Sequence, residues 1–158
     1  MKQALIVLAA GAIYFALAYF LVGYAFGAAP GFAWAKESFG PLAGTRIWSH
    51  SVHAVVLLIA AIPSALVLGL LGRPDALRLA VVTGVLVAVA SSLPSFLHPA
   101  VQPYLDTDFY VTTGIDGLKM VLVLVLLTWL FGKLPSNYAM QRSSRVGTPL
   151  AGSGRGAY

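Results

Sequence analysis

Four runs of apolar residues, at about 4–26, 52–71, 77–97 and 113–132, occupy most of this 158-residue chain. Each is close to the ~20 residues that an α-helix needs to cross a hydrocarbon layer about 30 Å thick. In such a layer each backbone amide must be satisfied without water, which a helix does within its own segment. The expected fold is an all-α integral membrane protein, a bundle of four transmembrane helices spanning residues 1–135. Charge content agrees: 9% of residues are charged, against about 25% in soluble domains. So few charges cannot cover a water-facing surface, so the lipid bilayer is the first expected partner.

The basic residues act as topology signals. With the N-terminus inside, Lys2, Arg73, Arg78, Lys133, Arg142, Arg145 and Arg155 fall on the inner side. Lys36 and Arg46 fall on the outer side, and Lys119 lies within the fourth run. Lys and Arg concentrate on cytoplasmic segments, so the expected topology is N-in and C-in, in a bacterial inner membrane. The net charge of +5 is explained by these positions. It forms no basic face interleaved with aromatics, and nucleic-acid binding is not expected. Residues 136–158, rich in Ser, Arg and Gly, are expected to form a disordered basic cytoplasmic tail. A cleaved signal peptide ending near Ala16-Leu17-Ala18 is an alternative for the first run. That run continues to Phe26, longer than a usual signal core of about 7–15 residues, so a retained span is expected.

Two spans carry stripes of small residues. Ala61, Ala65 and Gly69 recur every fourth position, as do Ala80, Gly84, Ala88 and Ser92. Such stripes let helix backbones approach closely in lipid. The short link at 72–76 makes these spans antiparallel neighbours, and their small faces are expected to meet each other or to form a homo-oligomer. Pro63 is expected to kink the second span. The segment 27–46, interrupted by Pro30, Gly31, Gly40, Pro41 and Gly44, reads as a surface loop anchored by Phe32, Trp34 and Phe39. Residues 120–127 (MVLVLVLL) are bulky on every face, which suits lipid contact.

Most remaining ionisable groups gather at the predicted outer end. His50 and His53 open the second span, and His98 follows the third. Asp106 and Asp108 lie in the third loop, and Asp116 and Lys119 open the fourth span. His50 and His53 share a helix side, as do Asp116 and Lys119, since residues three apart are neighbours on a helix. His53 continues the stripe of Ala61, Ala65 and Gly69, so it should face a partner helix. Ionisable groups within a span are costly and are either partnered or functional. An interfacial role is the simpler alternative, because Lys119 lies only ~9 Å inside the span at 1.5 Å per residue and can snorkel.

No sequence element points to catalysis. The chain has no cysteine, which removes disulfides and thiolate chemistry. It carries no nucleophile elbow, zinc-protease helix or phosphate-binding loop. The expected role is non-enzymatic: an accessory or interaction protein that packs against another membrane protein or its own copies, with no cofactor. The alternative uses the polar cluster for ion, metal or haem b binding, or for proton-linked transport. Histidine and carboxylate would suit zinc, copper or nickel, and His53 would be the first axial ligand of a haem. The two readings differ in one forecast: a functional cluster requires His53, Asp116 and Lys119 to converge across helices.

Overall fold

The computed structural model describes residues 1–72, 74–99 and 105–146, with side chains through residue 133. Five helices run through them: α1 (Lys2–Ala28), α2 (Phe32–Phe39), α3 (Pro41–Leu71), α4 (Ala76–Leu97) and α5 (Thr107–Val146). Four of these, α1, α3, α4 and α5, are long and apolar enough to cross a membrane. Their outward faces carry large apolar side chains, among them Leu5, Phe20, Leu86, Leu118 and Leu126. Continuous apolar cover of this kind is foreign to water-soluble monomers and is what a bundle bounded by lipid presents.

Helices α1 and α5 each pack against both α3 and α4, while α3 and α4 meet each other far less. The bundle is thus a square with α3 and α4 on one diagonal. Polar ties cross its centre. Tyr14 Oη donates to the Met120 carbonyl at 3.3 Å, joining α1 to α5. Ser64 Oγ donates to the Ala10 carbonyl at 2.8 Å, joining α3 to α1. Neither residue stands out in the sequence, because Tyr14 sits among six aromatics of one span and Ser64 follows Pro63.

Several expectations are corrected. The segment 27–46 is not a loop alone. Gly31 and Gly40 take positive φ (90° and 83°), a region open to glycine at little cost, and they bracket helix α2. Gly40 then precedes Pro41 at the first position of α3, where proline's fixed φ favours helix entry. The second span therefore begins at residue 41 rather than 52, and His50 and His53 lie well inside it. Trp48 is turned inward at this end: its indole N–H donates to the Pro30 carbonyl at 3.0 Å, and its ring meets Phe26 and Phe32 edge-on.

The fourth span likewise begins earlier, at Thr107, with the Asp106 carboxylate accepting from the Phe109 amide at 2.9 Å. Asp116 and Lys119 consequently lie in its third and fourth turns. The helix continues to Val146, so residues 136–146 of the expected disordered tail are helical; residues 147–158 lie outside the described residues.

The small-residue stripes do not meet each other. A methyl group on Gly84 would come within 2.9 Å of Val121 Cα, one on Gly117 within 3.4 Å of Ala88 Cβ, and one on Gly69 within 3.3 Å of the Gly132 nitrogen. Gly69 of one stripe and Gly84 and Ala88 of the other therefore receive α5. Small residues open a groove for whichever helix lies across it, and the diagonal arrangement puts α5 there. Ala61, Ala65 and Ala80 are fully buried. For the same reason α5 is not lipid-facing all round: Met120, Leu124 and Thr128 form a buried stripe. Pro63 is accommodated within α3, which continues unbroken to Leu71.

Candidate functional site

The polar cluster assembles where α3 crosses α5, at the end of the bundle that carries α2. Helical spacing aligns His50 with His53 on α3 and Asp116 with Lys119 on α5, and the packing of the two helices presents the pairs to each other. Lys119 Nζ donates to Asp116 Oδ1 at 2.9 Å and stands 2.8 Å from His50 Nδ1. His53 Nδ1 approaches the same carboxylate oxygen at 3.2 Å, and His50 Nδ1 lies 3.6 Å from it. One oxygen thus gathers an ammonium and two imidazoles from two helices. His53 is the most enclosed member, its side chain 13% exposed. The convergence of His53, Asp116 and Lys119 is the arrangement that separates a built site from side chains dispersed toward headgroups.

The remaining candidates are engaged elsewhere. Asp106 caps α5. Asp108 pairs with Arg46 at 2.7 Å on an exposed surface, linking the start of α5 to the early turns of α3. His98 is exposed and closes α4, its amide bonded to the Pro94 carbonyl.

A metal ion at this end would have to be held by the same imidazoles and carboxylate. Among the described residues no three His, Asp or Glu side chains are arranged to hold one. The Lys119 ammonium also stands where a cation between Asp116 and His50 would have to be. For a haem, His53 faces the bundle and His98 lies at an exposed helix end, which leaves the His53 of a second copy as the other axial ligand to test.

A cleft of about 720 Å³ opens beside the cluster, within the ~300–1,000 Å³ of small-molecule sites. His53 and Asp116 stand on its wall, whereas Lys119 and His50 are not among its lining residues. Helix α1 supplies an aromatic wall of Phe15, Tyr19, Phe20 and Tyr24. Helix α4 supplies the hydroxyls of Ser91, Ser92 and Ser95, and buried Ala18 and Met120 close the bottom. The serines carry no sequence motif. Their signal is spacing: positions 91, 92 and 95 share one side of a helix, which makes a polar patch in an otherwise apolar span.

No family model matches the chain, and no curated protein or solved structure matches it.

Proposed function

We propose that this chain is a non-enzymatic integral membrane protein whose His50–His53–Asp116–Lys119 network is a proton-responsive site for a small ligand entering the adjoining cleft. The observation that supports it is the sharing of Asp116 Oδ1 by Lys119 and His53 while Asp116 and His53 also line the cleft. The membrane is a bacterial inner membrane, with both termini inside and the site toward the outside. The Lys and Arg distribution supports this orientation.

The physical case rests on charge. A carboxylate within a span requires a partner, and Lys119 supplies one. An imidazole can gain a proton and with it a positive charge, so a proton taken up by either histidine alters the charge beside the cleft by a whole unit. The groups facing Asp116 are His50 and His53 from α3 and Lys119 from α5. Helix α1 brings the phenols of Tyr19 and Tyr24 to the cleft, and α4 brings only hydroxyls. The network thereby couples proton occupancy to whatever binds against Asp116. An accessory role through the small-residue stripes has less surface to draw on, because α5 packs against Gly69, Gly84 and Ala88.

Histidine-selective NMR on detergent-solubilised protein tests the coupling. The ring signals of His53 should shift when Asp116 is replaced by Asn, and unmoved signals reject a coupled network. Metal analysis and an absorption spectrum test the competing cofactor reading: stoichiometric metal, or a Soret band lost in His53→Ala, would replace the present proposal.

A further inference from the structure

We infer that the cleft takes a lipophilic organic monocation, an ammonium- or phosphonium-type centre on an apolar or aromatic body. This rests on the reading of the cleft as a ligand site and names the class of ligand. The lining set includes one carboxylate, one imidazole and three serine hydroxyls, and no lysine or arginine. Lys119 and His50 stand outside that set, bonded to each other and, through Lys119, to Asp116. A ligand in the cleft therefore meets no lysine or arginine among the lining residues, while Asp116 itself stays paired with Lys119.

Opposite Asp116 stand Phe15, Tyr19, Phe20 and Tyr24. Aromatic faces carry negative quadrupole density and attract a cation within about 6 Å of the ring centre. An anion would meet the aromatic faces on one wall and, on the other, a carboxylate with no lysine or arginine in the lining. A neutral ligand would return less for a desolvated carboxylate than a cation does. The apolar part of the ligand has the rings of α1 to lie against. Tyr19, Phe20 and Tyr24 are 71%, 72% and 75% exposed, so the mouth is itself apolar and admits such a molecule from the lipid side.

The sign of the pH dependence follows. A proton on His53 adds positive charge to the wall and opposes the cation. Protonation of His53 should therefore weaken binding of the cation, and binding should release protons, since coupling between two ligands is reciprocal.

The test uses two probes of matched shape and opposite charge, tetraphenylphosphonium and tetraphenylborate, bound to the full chain in lipid nanodiscs with empty nanodiscs subtracted. Tetraphenylphosphonium should bind saturably, and Asp116→Asn should weaken it by about tenfold or more, as loss of a close charge partner does. Asp116→Glu should restore most of the affinity. Asp108→Asn, which also removes one acid but outside the cleft, should bind as the unaltered chain does. Should Asp116→Asn not yield monodisperse protein, Tyr19→Leu provides a second probe. It keeps the apolar wall, removes one ring face, and should weaken binding about 2–5-fold. Tetraphenylborate bound as tightly as the phosphonium, or phosphonium binding indifferent to these substitutions, overturns the inference. Phosphonium binding that depends on Asp116 but not on pH upholds the cation site while rejecting the proton-responsive reading. Proton-linked binding of the borate does the reverse.

Discussion

Asp116 draws its partners from two helices, and the cost of removing each partner depends on what is left behind. Lys119→Gln deletes the ammonium and leaves a carboxylate inside a span with only imidazoles beside it. A half-dismantled charged hydrogen bond of this kind costs about 1.5–3 kcal/mol. Lys119→Gln should therefore destabilise the protein by that amount, whereas Lys119→Gln with Asp116→Asn should cost less than the two single losses added together, because neither charge is then stranded. Unfolding in detergent–denaturant mixtures of all four proteins checks this, and strict additivity would show that the pair is not coupled. The exposed Arg46–Asp108 pair offers the contrast. Both side chains are more than half exposed, and exposed ion pairs contribute about 0–1 kcal/mol. Asp108→Asn should leave unfolding within that range. The pairs themselves are legible in the sequence, since residues three apart share a helix side. That His50 and His53 would face Asp116 and Lys119 is not, because spacing within one helix carries no information about which helix stands opposite.

The stripes of α3 and α4 show the same limit at the scale of elements. Their four-residue period predicts a groove, but a groove is indifferent to what fills it, and α5 contacts Gly69 of one stripe and Gly84 and Ala88 of the other. Gly84 is the tightest of these contacts: its missing Cβ is replaced by the backbone of Val121. Gly84→Ala should force α4 and α5 apart and cost about 1–3 kcal/mol, the usual range for inserting atoms into a packed contact. Gly132→Ala on α5 has nothing within 4 Å of its Cβ and should be tolerated; thermal unfolding of the two variants side by side measures the difference. The start of α3 was open to a second reading for a related reason. Glycine and proline at 40 and 41 read as breakers of a span, yet glycine followed by proline also begins helices. The same two residues end α2 and launch α3. Gly40 has φ 83° and ψ 163°, backbone almost confined to glycine and costing other residues about 1–3 kcal/mol. The sequence therefore carries the turn, and only the packing of α2 on α3 tells which of its two meanings applies.

For the whole molecule the decisive variable is orientation, because it sets which compartment the cleft and its histidines sample. The four long apolar helices connect in series, so the α2 end and the α3–α4 link must lie at opposite ends of the bundle. The α2 end bears Lys36 and Arg46, and the opposite end bears Lys2, Arg78 and Lys133. The bias is modest until the basic residues beyond 133 are included, and it acts as a count of Lys and Arg rather than as net charge. The absence of cysteine makes the question directly measurable, since any introduced thiol reports without background. Glu37 on exposed α2 and Pro74 in the exposed link are suitable positions at the two ends. In intact cells a membrane-impermeant maleimide should label Glu37→Cys and leave Pro74→Cys unlabelled, and permeabilisation should make both react. The converse pattern would turn the cleft toward the cytoplasm. The histidines would then sample a compartment whose pH is held nearly constant, and proton-linked binding would have little range in which to act.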